Sequence, residues 1–302
     1  MRQSFEIFFS MASSPTVSDM HGKTVLITGA SGGIGLATAR QLARQGAHMV
    51  LVCRNPEKAE QARITVQDAA GPENPVDVLL CDLSLLNNVR TLAAEVARRY
   101  PRLDVLINNA GIMPGPFTVT EEGHELSWVT NHLSVFTLTN LLLPQLLAAE
   151  QARIITLASE AHWLGQIEAS QEARNDPHRY SAITAYCDSK LANILFTNEL
   201  AHRLELTGIT ANCVHPGMVN SGLMNAQTPL LMKSMWWMAM PFMISTERGA
   251  QTSIYLASSP EVARISGKYF KRNKPGRSSG KAQSRAEASR LWRISEEETG
   301  ME

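Results

Sequence analysis

The stretch "TAYCDSKLANILF" (184–196) places Tyr186 and Lys190 four positions apart, on one side of any helix that carries them. A phenol beside an ammonium can pass a proton to or from a substrate oxygen. To act as a base near neutrality its pKa of about 10 must fall by about 3 units, roughly 4 kcal/mol. A lysine ammonium about 4.5 Å away supplies on the order of 3.7 kcal/mol at an effective dielectric of about 20, before desolvation is counted against it. On a helical wheel Asn193 and Thr197 continue the polar stripe, while Leu191, Ile194, Leu195, Phe196 and Leu200 point elsewhere. A mostly buried helix is therefore expected over about 184–206, its stripe turned toward a polar cleft. Two amphipathic side chains reaching for solvent are the plainer alternative, and the rest of the chain has to decide.

The elements that must position this helix follow from the apolar pattern. Short β-branched or aliphatic runs, "KTVLIT" (23–28), "HMVLVC" (48–53), "VDVLLC" (76–81), "LDVLIN" (103–108), "ARIITLA" (152–158) and "ITANCVH" (209–215), alternate with helical segments. Nearly continuous apolar strands separated by helices predict a parallel sheet covered on both faces and joined by right-handed crossovers. The expected fold is α/β: one doubly wound, Rossmann-type domain over 21–302, with a central parallel sheet of about seven strands. Residues 1–20 are expected to form a disordered tail. The basic, Gly/Ser/Pro-rich segment 267–285 reads as a solvated, mobile loop. Beyond it, Ser284 and Glu287 have capping-box spacing, and Ala288, Leu291 and Trp292 share a face, so a short helix should close the chain.

Composition narrows the function. The 28 basic residues balance the 28 acidic ones, so no global field recruits nucleic acid or an anionic membrane. Cys53, Cys81, Cys187 and Cys213 stand far apart, with no zinc-type spacing, which fits a reducing, cytoplasmic setting with no metal. The apolar N-terminal residues are broken by Glu6 and too short to span a bilayer, so no transmembrane segment is expected.

"TGASGGIG" (28–35) follows the first expected strand and opens the first helix. Gly29 allows a sharp turn, Gly33 lets backbone approach a pyrophosphate, and Gly35 permits close packing of helix on strand. The helix start adds free N–H groups and a positive dipole end. The loop predicts a dinucleotide site.

With "NNAG" (108–111) after the fourth strand, this Gly-x-x-x-Gly-x-Gly spacing resembles the short-chain dehydrogenases/reductases over about 21–270. The resemblance implies that Thr28, Ser31 and Ile34 join the three glycines around the cofactor. It also implies that Asn108, Ala110 and Gly111 hold the central sheet and approach the cofactor, and that Asp82 and Leu83 of "CDLS" meet the adenine. In the same family a serine after the fifth strand and an asparagine in the fourth crossover complete the catalytic set. Ser159 in "ITLASEAHW" and Asn131 in "VTNHLSVF" stand in those places beside Tyr186 and Lys190. By the resemblance, Asn131 holds a water in a proton relay toward Lys190, Lys190 also binds the nicotinamide ribose, and Pro216, Gly217 and Ser221 position the carboxamide. At the end of the second strand stands Arg54, where an acidic residue would accept the ribose hydroxyls of NAD. A guanidinium can bind a 2′-phosphate through two charge-assisted hydrogen bonds, so NADP(H) is expected to be preferred, with NAD(H) admitted.

The wider sequence resembles the retinol dehydrogenase-like branch, which implies a hydrophobic aldehyde, ketone or alcohol as substrate. A methionine- and tryptophan-rich run within 222–245 sits where the family places a substrate lid, and a homodimer is compatible with the resemblance. Two alternatives share the fold: a non-catalytic NAD(P)-sensing regulator, and a double-bond reductase resembling protochlorophyllide reductase. The complete Asn, Ser, Tyr and Lys set argues against the first, and the intact "NNAG" against the second.

Overall fold

The computed structural model describes residues 18–113, 115–168, 170–219, 240 and 243–301. The apolar runs become β1 (Thr24–Thr28), β2 (His48–Cys53), β3 (Val76–Leu80), β4 (Val105–Asn108), β5 (Arg153–Leu157) and β6 (Thr210–His215). Two further strands, β7 (Tyr269–Lys271) and β8 (Lys274–Pro275), follow. Their spatial order is β3-β2-β1-β4-β5-β6-β7-β8, parallel throughout except for the last pair. The order reverses between β1 and β4, and the crevice above the carboxyl ends of such neighbours is where ligands bind in open α/β sheets.

Alternation within the strands feeds two cores. Leu26, Val50, Leu106 and Ile154 point to one face, packed by α3 (Leu86–Arg99), α5 (Ser134–Leu141) and α8 (Ala182–Arg203). Val25, Ile27, Met49, Leu51, Val105 and Ile107 point to the other, packed by α1 (Gly33–Arg44) and α2 (Pro56–Ala70). Each fully buried Leu or Ile of this kind contributes about 1.5–3 kcal/mol. The remaining helices are α4 (Leu126–Trp128), α6 (Leu143–Leu147), α7 (Gln171–Arg174), α9 (Thr246–Ser258) and α10 (Arg285–Thr299). Side-chain caps define several starts: Asn55 accepts from the N–H of Lys58, Ser181 from Thr184 and Ser284 from Glu287.

Two expectations meet a different picture. The segment 267–285 is not a solvated loop: Phe270 is fully buried, Tyr269 nearly so, and both pair with β6. Arg272 and Asn273 take positive φ of 53° and 61° in the tight turn that joins β7 to β8. Met20, placed by sequence in the tail, is only 4% exposed, and its N–H donates to the carbonyl of Gln45. Residues 1–17 and most of the expected lid at 222–245 lie outside the described residues, as does Ser221.

Candidate active site

The crevice above β1 and β4 is lined on one side by Gly29, Ser31, Gly33, Ile34 and Gly35, and on the other by Ser159, Tyr186, Lys190, Pro216 and Gly217. Helix α1 begins at Gly32 with no side-chain cap, so its first-turn N–H groups are left for a ligand at the mouth of the crevice. The glycine at 35 is obligatory: a Cβ there would stand 2.3 Å from the carbonyl oxygen of Gly29 and 2.5 Å from Nδ2 of Asn109. A Cβ on Gly29 would press within 2.8 Å of Cα of Ala110, and its φ of 68° already favours glycine. These close approaches, with free N–H groups aimed outward, fit the pyrophosphate of a dinucleotide.

The "NNAG" residues divide their work. Asn108 turns away from the crevice and donates to Oγ1 of Thr139, fastening β4 to α5. Asn109 donates from Nδ2 to the carbonyls of Thr28 and Gly29 at 2.8 and 3.2 Å, fixing the glycine-rich turn. Thr28 itself is buried and accepts the N–H groups of Asn109 and Ala110 on its hydroxyl. Thr28 and Asn108 therefore brace the crevice from beneath, while Ala110 and Gly111 line it. The bracing role of Asn109 escaped sequence reading, because its partners are carbonyls about 80 residues away.

Beside the end of β2, Arg54 is exposed and lines the crevice with Asp82 and Leu83. Asp82 accepts from the N–H and hydroxyl of Ser84 at 3.0 and 2.7 Å, which orients its carboxylate. Lys58, one turn into α2, adds a second cation to this wall. Its position four residues beyond Arg54 was the available signal.

Ser159 and Tyr186 line the same wall of the crevice, and the Ser159 hydroxyl caps the turn that follows it by accepting the N–H of Ala161 at 3.2 Å. Nζ of Lys190 lies 5.5 Å from the Tyr186 ring centre and 3.4 Å from the carbonyl of Leu157. The polar stripe of α8 is not turned to the crevice along its whole length. Asn193 donates to the same Leu157 carbonyl at 3.0 Å and Thr197 to its own helix, so only Tyr186 and Lys190 face the ligand space. Burial pushes the Tyr186 phenol up to about 12, with Ser159 opposing it, and brings Lys190 down to about 8. Desolvation is the leading cause in both, and for Tyr186 it gives the direction opposite to that expected from Coulomb's law alone.

Asn131 sits beneath this floor, fully buried, in a π-helical turn spanning Val129–Leu133 between α4 and α5. The bulge turns its amide toward the loop after β4. Oδ1 accepts from the N–H of Ile112 at 2.7 Å, and Nδ2 donates to the carbonyl of Ile112 and to Oγ of Ser189. A Cβ on Gly111 would lie 3.2 Å from Oδ1 of Asn131 and 3.4 Å from Nζ of Lys190, so Gly111 separates the two. The four catalytic candidates thus converge, three lining the crevice and one behind it.

Beyond the nicotinamide end, Ile112, Met113, Met218, Val219 and Ile244 give the crevice an apolar wall. Gly217 takes a φ of 95°, and the N–H of Ile244 donates to the carbonyl of Met218. Among the described residues there is no cluster of His, Cys, Asp and Glu suited to a metal, and no helix long and apolar enough to cross a membrane. The four cysteines are buried free thiols.

The family profile described as short chain dehydrogenase matches residues 23–230. Human retinol dehydrogenase 14 is 44% identical over 296 residues, covering 93% of this chain and 88% of its own. Bovine retinol dehydrogenase 12 is 41% identical, covering 97% and 92%. Among solved structures, an uncharacterized protein from Mycobacterium paratuberculosis superposes with a TM-score of 0.75 at 36% identity, covering 94% of this chain and 96% of its own. A short chain dehydrogenase from Burkholderia cenocepacia, in complex with NADP, superposes at 0.66 with 25% identity, covering 83% and 96%.

Proposed function

The chain belongs to the short-chain dehydrogenase/reductase family, and from that membership we propose an NADP(H)-dependent oxidoreductase that interconverts a hydrophobic aldehyde or ketone and its alcohol. NAD(P)-dependent chemistry on alcohol and carbonyl groups is the family's reaction. The bound nicotinamide supplies or accepts the hydride. Around it, the uncapped start of α1 receives the pyrophosphate, Arg54 with Lys58 receives a 2′-phosphate, and Asp82 meets the adenine.

The observation that carries the reading is the meeting of Ser159, Tyr186 and Lys190 on one wall of the crevice. With its proton firmly held, Tyr186 acts as the acid that protonates an oxygen on which negative charge is growing, and Ser159 donates to the same oxygen. Lys190 holds the nicotinamide ribose and, through a water accepted by the remaining lone pair of Asn131 Oδ1, reloads Tyr186. Pro216, Gly217 and Ser221 position the carboxamide. The apolar wall of Ile112, Met113, Met218, Val219 and Ile244 suits a bulky lipid aldehyde such as retinal, in keeping with the names of the relatives.

Single-turnover oxidation of NADPH against retinal and other bulky carbonyls tests this, with Tyr186→Phe beside the parent. The variant should bind NADPH normally and lose hydride transfer by at least about a hundredfold. Undiminished turnover would remove Tyr186 as the proton donor.

A further inference from the structure

The peptide group joining Ser159 to Glu160 is gripped from both ends by histidines that have no part in the chemistry above. Its carbonyl oxygen accepts two N–H groups of His162, the backbone one at 3.1 Å and the ring Nδ1 at 2.7 Å. Its N–H donates to Nδ1 of His215 at 3.3 Å. His162 is fully buried, and its other ring nitrogen, Nε2, accepts the N–H of Ser279 at 3.0 Å. A backbone N–H can only donate, so Nε2 must carry the lone pair and Nδ1 the proton. One neutral tautomer alone satisfies both bonds, and burial also holds the ring neutral.

We propose that His162 is the positioning residue of the site, fixing through its Nδ1–H the backbone that aims the Ser159 hydroxyl at Tyr186. The inference rests on Ser159 being catalytic. The same short 3-10 turn, Glu160–Leu164, is anchored elsewhere by the C-terminal part of the chain. Tyr269 donates its hydroxyl to Glu160 at 2.7 Å, and Lys271 pairs with the same carboxylate at 3.4 Å. The turn lies directly on α8: a Cβ at Gly165 would stand 2.6 Å from the carbonyl oxygen of Cys187, next to Tyr186. Asp188 closes the turn by accepting the N–H of Gln166 at 2.7 Å. His162 thus links the segment around Ser279 to the catalytic serine, and its loss frees a peptide whose misplacement by about 1 Å costs on the order of a hundredfold in rate.

Two variants separate positioning from packing. In His162→Asn the amide nitrogen occupies the place of Nδ1 and keeps the bond to Ser159. In His162→Gln the longer amide reaches Ser279 and gives up that bond. Single-turnover hydride transfer from NADPH to a bulky aldehyde should stay within about threefold of the parent in the first and fall roughly ten- to a hundredfold in the second. NADPH affinity should hold within about twofold in both. Equal rates in the two variants, or rates that simply follow their melting temperatures, would overturn the proposal. Nitrogen-15 NMR of the parent's histidines checks it without mutation: a His162 proton on Nε2 rather than Nδ1 would also sink it. Ser159→Ala measured alongside keeps the two readings apart. A parent-like rate there removes the catalytic serine itself, whereas a slow Ser159→Ala with a fast His162→Gln removes only the positioning role.

Discussion

Lys190 has its ammonium buried, and among the described residues its hydrogen bond is one long contact, at 3.4 Å, to the Leu157 carbonyl. The side chain is 6% exposed, and desolvation lowers its pKa from 10.5 to about 8. At about 1.4 kcal/mol per unit, this corresponds to about 3 kcal/mol of folding free energy spent on keeping the charge. Below pH 8 both folded and unfolded chains hold the proton, and the folded one bears the full cost. Between 8 and 10.5 the folded chain has released it while the unfolded chain retains it, so stability rises with pH. Above 10.5 both are neutral and the cost is gone. Lys190→Met, which fills the same space without the charge, should therefore stabilise the ligand-free protein by up to about 3 kcal/mol at pH 7. The gap to the parent should close as pH approaches 10.5, while hydride transfer is lost. Urea denaturation of both proteins at several pH values, without cofactor, reads the gap directly. A variant less stable than the parent at pH 7, or a gap unchanged between pH 7 and 10, would refute the reasoning.

Arg54→Ala should weaken NADPH binding roughly ten- to a hundredfold and leave NADH within about twofold, since only the 2′-phosphate distinguishes them; isothermal titration with both cofactors checks this, and an equal loss for each would remove the assignment. Gly35→Ala places a methyl group within 2.5 Å of two polar atoms of the turn. Overpacking of this kind costs about 1–3 kcal/mol, so both the denaturation midpoint and NADPH affinity should fall, and an unchanged NADPH titration would show that the turn is less exacting than its geometry.

What the sequence disclosed, and what it withheld, divide along a physical line. That Tyr186, Lys190 and the glycine-rich turn share one crevice was legible because each follows a strand or lies on a helix whose apolar pattern is local, while Ser159 came from the family resemblance. The parallel sheet followed from the alternation of strands and helices in the same way. The shift of Tyr186 runs opposite to the pairwise expectation because a Coulomb energy can be worked from spacing, whereas desolvation depends on everything packed around the pair. Asp188 acquires its role only in the fold, which brings the N–H of Gln166 to its carboxylate. His162 and Asn109 belong to the same class: each holds backbone groups supplied by distant segments, Ser279 being 117 residues beyond His162. Any residue type can offer a carbonyl or an N–H, so the partner leaves no mark in the sequence. Candidate reacting groups can therefore be picked out by their own types and by resemblance, while the residues that hold backbone around them emerge only once the chain has folded.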